Sequence, residues 1–151
     1  MGQSLSKVVI HIVFSTKDRE PFLDESIRDD MFRYLAVVCR GVGGQCYRVG
    51  GVADHVHLVT SLPRTVSQSE LLGELKKRSS KWMRGVDLER YREFGWQRGY
   101  GVFSVNPEEL EAVVEYVAGQ EKHHEGQTFE EEYLKMLEEY GVAYDERYVW
   151  D

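Results

Sequence analysis

The chain of 151 residues contains only two cysteines, Cys39 and Cys46, and three prolines. Two cysteines are too few for a disulfide scaffold or a four-cysteine zinc site. They suit a reducing compartment, so we expect a cytoplasmic protein. No apolar run approaches the roughly 18 residues that a membrane span needs, which argues against a transmembrane protein. The N-terminal apolar stretch is short and contains His11, so it predicts no signal peptide.

Positive charge is also scarce, because the formal net charge is -7. Residues 107–151 hold 14 acidic and 3 basic residues, whereas residues 1–106 hold 16 basic and 12 acidic residues. The acidic excess therefore lies in the C-terminal third. Exposed charges more than about 10 Å apart are screened at physiological salt, so an acidic average is compatible with a local basic surface.

The apolar patterns predict a single domain over residues 1–151. Hydrophobic residues make up 42% of the chain and charged residues 30%, which is typical of a folded protein. Cap signals at Ser67, Asn106 and Thr128 mark three helix starts. The predicted elements are strands over 7–14, 45–50, 55–62 and 100–105, and helices over 24–40, 68–84, 107–123 and 128–141. This order predicts an α+β, ferredoxin-like βαββαβ fold, with an antiparallel sheet, helices on one face and additional C-terminal helices.

Two histidines, His55 and His57, lie two residues apart on a predicted strand. Alternate strand residues point to the same face, about 6.5–7 Å apart along the chain, so the two imidazoles can bind one metal ion. By itself the spacing is equally compatible with packing or chance, since the chain has five histidines.

Tyr116 and Gln120 form an i,i+4 pair in the helix predicted after Pro107. Helical periodicity places both on the flank of that helix, beside its apolar stripe. A tyrosine at such a boundary is more often a packing residue than a chemical one.

A run of cations without an interrupting acid lies in the helix predicted over 68–84. Cations and hydroxyls on one helix bind phosphates, so the run predicts an anionic partner. Trp82 has the spacing of a core residue and is expected to pack inside. The candidate DNA-binding residues are Lys76, Lys77, Arg78 and Lys81.

Taken together, these motifs resemble the single-tyrosine HUH transposases, which belong to bacterial insertion sequences of the 200/605 type and to the REP-associated tyrosine transposases. The resemblance rests on DHVH at 54–57 followed by YVAGQ at 116–120. Further segments in the same order are HIVFSTKDREPF at 11–22, LKKRSSKWM at 75–83, WQRGYGVFSV at 96–105 and QEKHH at 120–124. The similarity spans nearly the whole chain.

The resemblance implies a metal-dependent DNA transposase. His55, His57 and Gln120 would be ligands of a divalent cation, Mg²⁺ or Mn²⁺, and Tyr116 would be the nucleophile. The implied substrate is single-stranded DNA with hairpins, which is nicked and rejoined through a 5′-phosphotyrosine intermediate. The family also implies a homodimer in which the tyrosine of one chain can serve the histidines of the other.

Other hypotheses remain open at this point. The chain could be a non-catalytic ferredoxin-like module that binds nucleic acid, a domesticated relative that no longer mobilises DNA, or a zinc hydrolase unrelated to DNA. His11 is expected to be structural. Asp54 could orient His55 or His57 or occupy a turn, and the turn is the expectation. His123 and His124 could approach the metal or the DNA, but exposed histidines at a helix end are common, and we expect them to be of that kind.

Overall fold

The computed structural model describes residues 2–151 and contains four strands and six helices within that range. Single 3-10 turns lie at 17–19 and 107–109. The strands are β1 (Val9–Ser15), β2 (Cys46–Val52), β3 (His55–Ser61) and β4 (Gly101–Val105). The helices are α1 (Glu25–Gly41), α2 (Gln68–Val86), α3 (Leu88–Tyr91), α4 (Leu110–Ala118), α5 (Gln120–His123) and α6 (Phe129–Glu139).

The four strands form one sheet in the order β2-β3-β1-β4, and every neighbouring pair is antiparallel. This is the order that a βαββαβ chain adopts in a ferredoxin-like fold, so the predicted fold class is confirmed. In the register between β1 and β3, Val13 lies opposite His57 and Ser15 lies opposite His55. Both histidines therefore lie in β3, one of the two central strands.

The cap signals act as the sequence predicts. The side chain of Ser67 accepts a hydrogen bond from the amide of Glu70 at the start of α2. The side chain of Thr128 accepts one from the amide of Glu131 at the start of α6. Each bond satisfies an amide that the first helical turn leaves without a partner, so both helix starts are fixed locally.

The two faces of the sheet have different partners. On one face of β1, Ile12 and the residues that alternate with it pack in one core cluster with α1 and α2. The other alternate residues, which include Val9 and Val13, pack against α4 and α6 through Val117 and Phe129. The prediction of helices on one face holds for α1 and α2. The C-terminal helices cover the second face, because that face is also apolar and must be buried.

The helix predicted over 107–123 is interrupted. Its first turn is 3-10, and α4 ends at Ala118, before Gly119. Gly119 has φ -94° and ψ 19°, outside helical values, and α5 begins at Gln120. Glycine is a weak helix former, so the break falls where the sequence has least preference for a helix.

Gly50 of β2 allows α4 to lie directly on the sheet. A Cβ atom at this position would overlap the backbone carbonyl oxygen of Val117, which is fully buried. Only a residue without a side chain permits so close an approach of two backbones. Since Val117 follows Tyr116 in α4, this contact sets the distance between that tyrosine and the sheet.

Within residues 2–151, no helix combines the length and the hydropathy required to cross a bilayer.

We predict opposite effects for alanine at two glycines. Gly50→Ala should lower the free energy of unfolding by about 1–3 kcal/mol, because the added methyl group must push α4 away from β2. Gly73→Ala is the control, since Gly73 is exposed inside α2 with open space around it. It should raise the free energy of unfolding by about 0.5–1 kcal/mol. Urea denaturation of both variants measures the difference, and equal effects would contradict the close approach.

Candidate active site

His55 and His57 project from β3 to the same face of the sheet and are fully buried. Their ring centroids are 5.2 Å apart. The two-residue period of a strand explains why both rings leave on the same side. The helices after β4 cover them, and Phe129 of α6 lies with its ring centroid 4.7 Å from that of His55.

Asp54 orients His55, which corrects the expectation that Asp54 only occupies a turn. His55 Nδ1 lies 2.7 Å from Asp54 Oδ1, and an ionised carboxylate only accepts, so Nδ1 carries the hydrogen. His55 Nε2 faces two further oxygens, Gln120 Oε1 at 3.2 Å and Glu132 Oε1 at 3.3 Å. A proton or a metal cation must lie between this nitrogen and those oxygens. Burial opposes the charge, but the Asp54 and Glu132 carboxylates raise the pKa of His55 to about 9.

His11 holds the second ring of the pair. His11 Nε2 lies 2.8 Å from His57 Nδ1, and both rings are buried. Burial lowers the pKa of His57 to about 4 and that of His11 to about 3, so both are neutral at pH 7. The expectation that His11 is structural agrees with this contact, which fixes the orientation of His57.

Tyr116 and Gln120 lie beside the histidines of their own chain. Gln120 is buried and donates from Nε2 to the backbone oxygen of Tyr116 at 3.3 Å, which leaves its Oε1 facing His55. The Tyr116 ring centroid is 5.8 Å from that of His57. The Tyr116 hydroxyl donates to Glu132 Oε2 and lies 3.3 Å from His123 Nε2. Burial and the neighbouring Glu132 carboxylate raise the pKa of Tyr116 above its ordinary value.

Glu132 lies at the centre of the site, and our sequence analysis did not identify it. Its side chain is 2% exposed, and its Oε1 lies 2.9 Å from His57 Nε2. Burial opposes ionisation, but the surrounding imidazoles hold the pKa of Glu132 well below its ordinary value. A signal was present in the sequence. Glu132 falls on the buried stripe of α6, where acids are rare unless they have partners, and the other members of that stripe are Phe129, Tyr133, Met136 and Leu137.

His124 also belongs to the site, although we expected an exposed residue. Its side chain is 8% exposed, and its Nδ1 lies 2.6 Å from the backbone oxygen of Gln127, so Nδ1 carries the hydrogen. Its Nε2 is buried without a hydrogen-bond partner and lies 3.1 Å from Glu132 Oε1. A buried nitrogen lone pair close to a carboxylate is an arrangement that a cation satisfies. The ligand atoms of His55, His57, His124 and Glu132 all lie within 4.8 Å of one another, so the residues fit a metal ion.

Lys76 corrects our expectation for the basic helix, since its ammonium group points into the protein. Lys76 Nζ donates to the backbone oxygens of Gln97, Arg98 and Gly99 at 2.8, 3.1 and 2.7 Å. An ammonium group has three hydrogens, and all three are used here. Lys76 therefore secures the segment before β4 and has no hydrogen left for a phosphate.

The other three candidate DNA-binding residues lie at the surface of α2, a helix that packs against the sheet face opposite the histidines. Arg78 and Lys77 pair with Glu74 at 2.8 and 3.5 Å, and Lys81 is exposed. Exposed pairs of this kind are weak and can exchange Glu74 for another anion. Trp82 lies half-buried at the edge of the core and stacks on Tyr34, which agrees with the packing role that we expected.

Comparison with known proteins gives a consistent result. The family model described as "Transposase IS200 like" matches residues 4–120. The transposases for insertion sequence element IS200 of Salmonella typhimurium and Salmonella typhi are each 33% identical to this chain over 100 residues. Each alignment covers 63% of this chain and 65% of the Salmonella protein, just under two thirds of its length.

Two solved structures share the fold. A candidate transposase from Deinococcus radiodurans R1 superposes with a TM-score of 0.64 and 19% identity, covering 78% of this chain and 94% of that one. A REP-associated tyrosine transposase bound to a REP hairpin superposes with a TM-score of 0.54 and 17% identity, covering 78% of this chain and 68% of that one.

We predict that Lys76 and Lys77 contribute differently to stability. Lys76→Met should lower the free energy of unfolding by about 1–3 kcal/mol, because three backbone carbonyl oxygens, two of them partly buried, lose their donor. Lys77→Met should change it by less than about 0.5 kcal/mol, because this side chain is 74% exposed. Thermal or urea unfolding compares the two, and an unaffected Lys76→Met protein would rule out the structural role.

Proposed function

Because the chain belongs to the IS200-like transposase family, we propose that it is a metal-dependent transposase of single-stranded DNA. In this proposal it nicks DNA at hairpin-flanked sites and rejoins strands through a 5′-phosphotyrosine intermediate. The observation that carries the proposal is the convergence of one phenol, two imidazoles and one amide at a single buried position. The imidazoles come from β3, whereas the phenol and the amide come from α4 and α5, which lie far from β3 in the sequence.

His55, His57 and Gln120 are the proposed ligands of a divalent cation, Mg²⁺ or Mn²⁺. When bound, the cation would polarise the scissile phosphate and stabilise its developing negative charge. The chain prepares these ligands in advance. Asp54 and His11 bind the outer nitrogens of the two imidazoles, and the bond from Gln120 to the Tyr116 backbone fixes the amide. Such outer contacts hold ligands in the orientation that binding needs.

Tyr116 is the proposed nucleophile. Its oxygen would bond to the phosphorus atom while the bond from phosphorus to the 3′ oxygen breaks, which leaves a free 3′ hydroxyl. The phosphate then remains esterified to the tyrosine, so rejoining needs no external energy source. The hydroxyl is held by Glu132 on one side and is 3.3 Å from His123 on the other, which limits its motion before DNA binds.

Lys77, Arg78 and Lys81 are the proposed phosphate contacts, and Lys76 is no longer among them. Because α2 packs on the face opposite the histidines, these cations would contact DNA that flanks the cut, such as a hairpin stem. The fold shared with the REP-associated transposase, which was solved with a hairpin bound, supports hairpin DNA as the partner.

Covalent trapping tests the nucleophile. Incubation with Mn²⁺ and hairpin-bearing single strands labelled at the 3′ end should give a denaturant-resistant adduct, because the downstream fragment stays on Tyr116 through its 5′ phosphate. Tyr116→Phe should abolish the adduct, since the ring without its hydroxyl cannot form the ester. The matched control is Tyr144→Phe, an exposed tyrosine in the C-terminal segment, which should label normally. Equal labelling of Tyr116→Phe and the parent would refute the assignment.

The same assay with His57→Ala separates the remaining hypotheses. Loss of cutting with retained hairpin binding supports the enzyme, whereas cutting that persists refutes the metal site. Hairpin binding without cutting by the parent protein would favour the binding module. Tetrahedral zinc with no affinity for DNA would favour the unrelated hydrolase.

A homodimer remains a prediction, and light scattering at micromolar concentration should then give twice the mass of one chain. Since Tyr116 lies beside the histidines of its own chain, one chain already holds every proposed catalytic group. A strict monomer would therefore refute sharing of sites between chains, and would leave the proposed chemistry intact.

A further inference from the structure

The carboxylate of Glu132 lies at the point where the imidazoles of the site converge. We propose that Glu132 and His124 are additional ligands of the cation, and that Glu132 links the Tyr116 hydroxyl to the cation site. This inference rests on the proposed function, because it extends the ligand set of the same centre from β3 and α5 to α6 and to His124, which follows α5.

The spacing of the donors supports this assignment. Glu132 Oε1 lies 2.9 Å from His57 Nε2, 3.1 Å from His124 Nε2 and 3.3 Å from His55 Nε2. Neighbouring ligands of an octahedral cation, each about 2.1 Å from it, are separated by roughly 3 Å. The four side chains therefore need only small adjustments to surround a cation.

The positions of the imidazole hydrogens also support the proposed ligand assignment. Backbone and side-chain acceptors outside the centre take the Nδ1 hydrogens of His124 and His55, so each ring presents Nε2 inward. His124 Nε2 has no hydrogen-bond partner, although it is buried. An unpaired buried nitrogen is unfavourable, and it is retained in proteins where a ligand completes it.

The burial of Glu132 supports a cationic partner. A carboxylate removed from water needs compensating charge or several donors. Across residues 2–151, the basic side chains within 4.0 Å of the Glu132 oxygens are all histidines, and neither lysine nor arginine lies there. A divalent ion among three imidazoles would supply that charge.

The second oxygen of Glu132 connects the centre to the tyrosine. While Oε1 faces the imidazoles, Oε2 accepts the hydrogen bond of the Tyr116 hydroxyl. One rigid carboxylate therefore sets the distance between the cation and the phenol. The role of Glu132 toward Tyr116 is one of positioning.

Mn²⁺ is the appropriate probe for this donor set. Three imidazole nitrogens favour transition metals, whereas Mg²⁺ prefers oxygen ligands. Mn²⁺ also allows binding to be followed by electron paramagnetic resonance, without DNA and without catalysis.

The experiment titrates the full chain and its variants with Mn²⁺ and measures free Mn²⁺ by that resonance. Glu132→Gln and His124→Asn should each weaken binding by about tenfold or more, since even outer-shell changes weaken metal sites by about tenfold to a hundredfold. Glu138→Gln is the matched control, an exposed acid on the same helix, and should bind as the parent does. His57→Ala tests the ligand set of the proposed function. Circular dichroism establishes whether each variant is folded. If Glu132→Gln does not fold, Glu132→Asp replaces it in the titration.

Each outcome decides the inference. Weak binding by the Glu132 and His124 variants, with a normal Glu138 variant, supports it. Binding by Glu132→Gln at parental affinity, while His57→Ala loses binding, overturns this inference and leaves the proposed function standing. Failure of the parent protein to bind Mn²⁺ overturns both this inference and the proposed function.

Discussion

The carboxylate of Glu132 holds together side chains that the chain delivers from four separate segments. It contacts the imidazoles of β3, the phenol of α4 and the imidazole of His124, and it comes from α6. Such a charge is unfavourable inside a protein unless its surroundings compensate it. The second face of the sheet can be closed by helices only because these polar groups satisfy one another. Coulombic attraction and hydrogen bonding in this cluster therefore complement apolar packing around it.

The layers of the fold separate two tasks. One sheet face, with α1 and α2, forms the larger apolar core and carries the exposed cations of α2. The other face carries the histidines and is covered by α4, α5 and α6. The acidic C-terminal third thus includes Glu132, which lies inside the site. The net charge of the chain alone gave no indication of that role.

Local signals predicted much of the architecture. Caps at Ser67 and Thr128 and the apolar periodicity placed the strands and long helices to within about two residues, and their order identified the ferredoxin-like sheet. The prediction failed where tertiary contacts or a weak preference for helix determine the local structure. The break at Gly119 lies inside an otherwise continuous helical pattern. Lys76 turns inward because three carbonyl oxygens of a distant segment converge on it.

The sequence by itself determined that His55 and His57 share one face, because a strand alternates, and that Tyr116 and Gln120 share one flank, because a helix turns every 3.6 residues. It also determined the caps, whose bonds span only three residues. Only the tertiary structure decided that these two pairs meet, that Asp54 and His11 hold the imidazoles, and that Glu132 and His124 join them. Those contacts connect residues up to 77 positions apart, as between His55 and Glu132. Their geometry depends on how α4 and α6 pack on the sheet, and no local preference encodes it.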